Sequence, residues 1–138
     1  MELEVTTKIE KQDEDEMFQG LQAYNLPRLE DKEPRDLGVY LRDGEGRLQG
    51  GLTGTTHGNW LFVKYLWVRE ELRGRGLGSR LLQRAEEAAR DRDCRFAFLN
   101  TFGFQAPEFY RRHDGYVQAF VLENYPRTGK RYYFTKTL

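Results

Sequence analysis

The sequence predicts a mixed α/β fold: one mixed sheet of about seven mostly antiparallel strands, with one parallel crossover and flanking helices. Three features carry that expectation. Short alternating segments joined by tight turns, Asp43-Gly44-Glu45-Gly46 and His57-Gly58-Asn59, fill much of the first half. After Val68 the apolar period lengthens from two to 3.6, with Leu77, Leu81, Leu82, Ala85, Ala88 and Ala89 on one face. A short apolar run, Phe96 to Thr101, comes next, so strand, glycine-rich turn, helix and strand form one unit. Its crossover should be right-handed and its two strands parallel.

The remaining elements follow in order. Glu2 to Ile9 alternates and contains Val5, Thr6, Thr7 and Ile9, which predicts a first strand. Acidic residues from Asp13 to Glu16 precede Met17, Leu21 and Tyr24, a pattern that suits a helix stopping before Pro27. The polar, irregular stretch Pro27 to Pro34 reads as a loop or a broken short helix. Leu37 to Leu41, Arg47 to Thr56 and Trp60 to Val68 form an antiparallel meander; Gly50, Gly51 and Gly54 in its middle strand suggest a bulge or close packing. The helix after the glycine turn runs from about Gly76 to Arg90. Pro107 to His113 is a short helix with proline in its first turn, ended by Gly115. Tyr116 to Leu122 and Arg131 to Thr137 close the chain as strands.

Composition narrows the function classes. One domain spanning residues 1–138 is the expectation for this length. Lys and Arg number 22, as do Asp and Glu, so the net charge is zero and gives no long-range pull toward nucleic acid. A basic face would need Arg111, Arg112, Arg127, Lys130 and Arg131 together. The lone Cys94 reads as a buried joint between helix and strand, and no Cys and His cluster has metal-ligand spacing. Neither a secretory leader nor an apolar run of about 20 residues is visible, so the expectation is a soluble, cytoplasmic protein with no membrane partner. An unpaired sheet edge invites pairing, which makes a homodimer an open expectation.

Chemistry concentrates at Arg73-Gly74-Arg75-Gly76-Leu77-Gly78-Ser79, where the apolar strand ends and the helix begins. Glycine allows a tight turn and close approach of backbone N–H groups to a ligand. A helix start presents further N–H groups, and its dipole favours an anion. Arg73 and Arg75 add fork-shaped cationic donors. A pyrophosphate matches that set; a plain tight turn with solvated arginines is the other reading. The Gly-Lys-Ser/Thr phosphate loop is absent, and the glycines at 74, 76 and 78 do not fit G-x-G-x-x-G.

Arg73-x-x-Gly76-x-Gly78 resembles the cofactor signature R-x-x-G-x-G of the GNAT superfamily of N-acetyltransferases. Leu66-Trp67-Val68 before it and Leu81-Leu82 after it agree in type and spacing. Ala106-Pro107-Glu108-Phe109-Tyr110, followed by Gly115-Tyr116, is similar to that superfamily's A-x-x-x-Y block. The resemblance implies an acyl-CoA N-acyltransferase fold with a splayed parallel strand pair and acetyl-CoA as co-substrate. It implies that Arg73, Gly74, Arg75, Gly76, Leu77, Gly78 and Ser79 cradle the pyrophosphate, while Leu66 and Val68 pair with the pantetheine arm. It also implies that the Val68 N–H is an oxyanion donor and that Tyr110 protonates the departing thiolate.

Two departures leave roles open. No carboxylate stands on the central strand, which offers Lys64 and Tyr65 instead, so either the base is His57, Glu108 or water, or the amine arrives partly neutral. His113 belongs to a helix end, where it would favour the dipole. Gly103 occupies the place of an Asn that contacts the cofactor in many members; Asn100 or Gln105 is either its substitute or a turn or cap residue. Acidic residues at Asp13 to Glu16 and Glu30 to Glu33 flank what the resemblance implies is the acceptor side; they either attract a cationic amine or are a helix-start cluster and a solvated loop. Tyr24, Trp60, Phe62, Phe102 and Phe104 are candidates for an aromatic acceptor pocket. Transfer of acetyl to a primary amine of a small molecule or polyamine is the resulting expectation. A non-catalytic acyl-CoA-binding regulator and an enzyme acting on a protein amine are its alternatives.

Overall fold

The computed structural model describes residues 1–113 and 115–138, in two compact units, Met1–Lys32 and Glu33–Leu138. In the first, α1 spans Lys11–Asn25 and runs into a 3-10 turn at Leu26–Arg28. Asp13 and Glu14 stand in the first turn of α1, where the dipole favours them. The predicted strand from Glu2 to Ile9 does not form. Leu3, Val5 and Ile9 are exposed, and a lone extended segment without a ladder partner has little stability of its own. The sheet therefore has six strands, not about seven. No helix among the described residues is long and apolar enough to cross a membrane.

The second unit holds the sheet: β1 (Arg35–Arg42), β2 (Leu48–His57), β3 (Trp60–Val68), β4 (Phe96–Phe102), β5 (Val117–Glu123) and β6 (Lys130–Thr137), with spatial order β1-β2-β3-β4-β6-β5. Every pairing is antiparallel except β3 with β4. Between those two strands runs α2 (Leu77–Asp91), and α3 (Pro107–Arg112) follows β4. The apolar stripe of α2 buries Leu81, Leu82, Ala85 and Ala89 against the sheet, where Leu52, Leu61, Leu99 and Phe134 are also fully enclosed. Each such Leu or Phe contributes roughly 1.5–3 kcal/mol by leaving water. Cys94 sits in this core at the α2–β4 joint, its Sγ 3.5 Å from the Gly58 carbonyl oxygen.

The parallel pair is short. Trp60, Leu61 and Phe62 align with Phe96, Ala97 and Phe98, and the two strands then part, while β4 stays paired with β6 along its whole length. The parting coincides with a bulge. Thr53 of β2 faces Tyr65, but Gly54 faces Val63, so Lys64 is an extra residue in β3. Gly54 permits this, because a Cβ there would overlap the Phe62 carbonyl oxygen. Leu61 and Val63 point toward α2 before the bulge, as Leu66 and Val68 do after it, with Lys64 and Tyr65 both exposed between them.

A polar knot ties α3, β5 and β6 to α2. Glu86 is buried on the apolar face of α2. Its carboxylate accepts from the Tyr116 hydroxyl at 2.9 Å and from Lys136 Nζ at 3.0 Å, and lies 3.7 Å from His113 Nε2. His113 ends α3 as the sequence implies, and it is buried there beside Glu86.

Two outcomes test this packing. Gly54→Ala should cost on the order of 3 kcal/mol in urea unfolding, since backbone rather than a pliable side chain fills the space. Glu86→Ala should cost about 3 kcal/mol by leaving Lys136 charged and largely enclosed, and Glu86→Gln less, because the Tyr116 hydrogen bond survives.

Candidate active site

Two cavities meet where β3 leaves β4. The first, about 500 Å³, is lined by Leu66, Trp67, Val68, the turn residues Leu72, Arg73, Gly74 and Gly76, the start of α2 from Leu77 to Ser79, and Ala106, Phe109 and Tyr110. The second, about 380 Å³, is lined by Val63 to Trp67, Leu99 to Phe102, Gln105, Ala106, Tyr110 and Arg131. Leu66, Trp67, Ala106 and Tyr110 are common to both. Beyond Ser79 and Phe109 the first opens on a cleft of about 710 Å³ that includes Arg90, Arg112 and Lys136.

The turn between β3 and α2 is built to leave its donors free. Glu70–Leu72 makes a 3-10 turn closed by the Arg73 N–H on the Glu70 carbonyl. Gly74 and Gly76 then adopt φ of 79° and 77°, a left-handed region closed to most residues, and a Cβ on either would meet only open space. The first helical hydrogen bond runs from Arg80 N–H to the Gly76 carbonyl. Among the described residues, the N–H groups of residues 74–79 have no partner, and the positive end of α2 adds to them. Arg73 lines the first cavity while its Nε donates to the Val68 carbonyl at 3.0 Å, which leaves its outer nitrogens free. Arg75 is exposed and does not line the cavity.

The edge of β3 supplies further donors. Arg69 N–H bonds to the Gln49 carbonyl at 2.9 Å, with Gly50 opposite Val68. Hydrogen-bonded and open positions alternate along an antiparallel pair. Val68 and Leu66, opposite Gly50 and Leu52, therefore turn their backbone groups away from β2 and into the gap that β4 has vacated.

Tyr110 reaches this junction from α3. It is 7% exposed, its ring packed on Phe109, Tyr116 and Phe134 at centroid distances of 5.0, 6.0 and 5.8 Å. Burial pushes its phenol from the usual 10 up to about 12, so it is a donor at any ordinary pH. The neighbouring Tyr116 phenol is pushed up too, by burial first and then by the Glu86 carboxylate it faces.

Other sequence candidates lie elsewhere. His57 is exposed opposite Trp60, at the far end of β3 from Val68. At about 3.3 Å per residue the strand separates them by roughly 25 Å, which removes His57 as a base at this junction. Glu108 is exposed, paired with Arg111, and lines neither cavity. Gln105 and Asn100 belong to the second cavity, not the turn. The Gln105 side-chain oxygen accepts from Phe102 N–H at 2.7 Å, and the Asn100 oxygen accepts from Arg131. The aromatic candidates divide: Trp60 and Phe62 pack with Phe98 on the sheet face away from α2, Phe102 stacks on Phe104, and Tyr24 belongs to the first unit. Glu86 went unmarked in the sequence although it stands four residues after Leu82, between Ala85 and Ala89, on the apolar stripe. Arg131 was read only as part of a basic face.

Comparison with known proteins agrees with this geometry. The model of the Acetyltransferase (GNAT) family matches residues 3–116. Acetyltransferase Atu2258 of Agrobacterium fabrum is 41% identical over 93 residues, which cover 67% of this chain and 68% of that protein. Blasticidin-S acetyltransferase of Streptomyces morookaense is 40% identical over 114 residues, 81% of this chain and 83% of that protein. The 1.9 Å crystal structure of an acetyltransferase from Bacillus cereus has a TM-score of 0.86 and 31% identity, covering 98% of both chains. The donor-lined turn, the parted strands and these relationships together make the chain a member of the GNAT family of acetyltransferases.

Proposed function

We propose that the chain transfers the acetyl group of acetyl-coenzyme A to a primary amine of a small molecule, by direct attack of the amine on the thioester. The observation that carries this reading is the run of unclaimed backbone donors, from residues 74–79 to Val68 and Leu66, ending at the cavity wall that holds Tyr110. A linear ligand with a diphosphate at one end and amides in its arm satisfies that run. When bound, acetyl-coenzyme A supplies an electrophilic acyl carbon and a thiolate leaving group.

The protein's own groups then divide the work. The N–H groups of residues 74–79, with the outer nitrogens of Arg73, hold the diphosphate. Arg90 and Arg112 in the adjoining cleft offer charge to a further phosphate, Lys136 there being paired with Glu86. Leu66 and Val68 hydrogen-bond the amide-bearing arm, and the Val68 N–H faces the oxygen on which negative charge develops. Tyr110 donates to the leaving sulfur. Its phenol at about 12 lies well above a thiol near 8.5, so it shares its proton with the sulfur rather than surrendering it. With His57 distant and Glu108 paired, the amine's proton passes to water in the open second cavity. That cavity's 380 Å³ is the size of a small-molecule site, and one relative is a Blasticidin-S acetyltransferase, both of which support a small acceptor.

Calorimetry should detect uptake of acetyl-coenzyme A by wild type and by Tyr110→Phe alike, while the variant's kcat falls about 100-fold; equal turnover would remove Tyr110 from the reaction. Turnover should rise with pH as the amine loses its proton and show no descending limb up to about pH 10, because Tyr110 keeps its proton there. The same shift has a cost in stability. The native state retains a proton that the unfolded chain releases, so unfolding free energy should decline from about pH 10 to about 12, less steeply in Tyr110→Phe.

A further inference from the structure

The second cavity contains a cation that has no counter-ion among the described residues. Arg131 of β6 faces Phe102 of β4 across the ladder, on the sheet face away from α2. Its guanidinium donates to the Asn100 side-chain oxygen, at 2.8 Å from Nε, and to the Tyr125 hydroxyl at 2.9 Å. It also lies over the rings of Phe102 and Tyr125, at 4.9 and 5.2 Å from their centroids. All these partners are neutral, and no carboxylate contacts it among the described residues. Other cations of the same region differ: Lys136 is paired with Glu86, Arg111 with Glu108 and Lys130 with Glu123.

The cavity wall repeats the imbalance. Among the described residues, Lys64, the bulge residue, and Arg131 are its charged members, and neither Asp nor Glu lines it. Three of the five guanidinium N–H groups are used, which leaves one on each outer nitrogen. A partly buried guanidinium held flat by two rings and two neutral acceptors has little rotamer freedom left to lose, and its remaining donors suit a planar anion. Resting on the acetyl-transfer reading above, we propose that the acceptor is an amine that also carries a carboxylate, which Arg131 binds while the amine faces the Tyr110 junction. Acceptors of this class are amino acids and small molecules bearing an amino-acid-like end. Polyamines, with positive charge throughout, meet Lys64 and Arg131 as like charges.

The test compares matched pairs of primary amines, each amino acid against its carboxamide, with acetyl-coenzyme A at saturation. Wild type should favour the carboxylates at least 10-fold in kcat/KM. Arg131→Gln should bring that ratio toward one, mainly through KM for the carboxylate, with calorimetric uptake of acetyl-coenzyme A retained. A purely structural role for Arg131 would leave the ratio unchanged. An independent arm needs no turnover: N-acetylglycine should shift the Arg131 Nε–H resonance, assigned by its loss in Arg131→Gln, and N-acetylglycinamide should not. Equal or better use of carboxamides or polyamines by wild type, or an unmoved Arg131 resonance, would overturn the proposal while acetyl transfer stood. Failure to take up acetyl-coenzyme A would overturn both.

Discussion

The separation of β3 from β4 after three paired residues is the constraint on which the site depends. Were the two strands paired to their ends, the outward backbone groups of Leu66 and Val68 would be spent on β4. The cavities on either side of the junction would be sheet. The bulge at Lys64 bends β3 away, and the missing side chain of Gly54 lets it do so. Because β4 keeps β6 as a full-length partner, the parting costs β4 one ladder and not both.

Unpaired backbone groups carry a penalty of about 1–3 kcal/mol each when buried, so a gap of this kind persists only if other contacts over-determine it. Here they do so from both sides. Arg73 occupies the Val68 carbonyl, which anchors the turn to the strand end and leaves the neighbouring N–H as the free member of the peptide edge. On the other side Glu86, Tyr116 and Lys136 lock β6 and the segment after α3 onto α2. Tyr110, wedged between Tyr116 and Phe134, is thereby held at the mouth of the gap. The burial that fixes the ring also keeps the phenol protonated, so position and protonation state share one cause.

How much of this was readable in the sequence depends on how far apart in the chain the interacting groups stand. The Arg73–Ser79 turn and α2 were legible because their information is local: glycines at a strand end, then an apolar stripe of helical period. Even Gly54 was marked as a bulge or close-packing site. What the sequence could not show is which residue the bulge would insert, since Lys64 becomes supernumerary only through its pairing with β2. His57 failed as a candidate for a related reason. It neighbours β3 in sequence, but at the start of the strand, with the chemistry at the other end. The Glu2 to Ile9 alternation was a strand pattern without a partner, and alternation cannot report whether an edge is available. Gln105, read as a cofactor contact or a turn residue, makes the turn bond, its side-chain oxygen accepting from the Phe102 N–H.

Two charged residues missed or underrated in the sequence illustrate opposite uses of a low-dielectric environment. Glu86 is almost completely enclosed, and each carboxylate oxygen has a donor within 3.0 Å, one of them a cation. Its charge is cancelled inside the protein, and the result is mechanical: elements distant in sequence are held together. Arg131 receives comparable attention from its neighbours, two acceptors and two rings, yet none of it neutralises the charge. Orientation is fixed while the electrostatic demand is left open. A fold that needed Arg131 only as a clamp would gain by placing a carboxylate where Asn100 stands, since an ion pair there would hold the same geometry with a stronger bond. The neutral amide at that position leaves the positive charge directed into the cavity, available to whatever anion enters it.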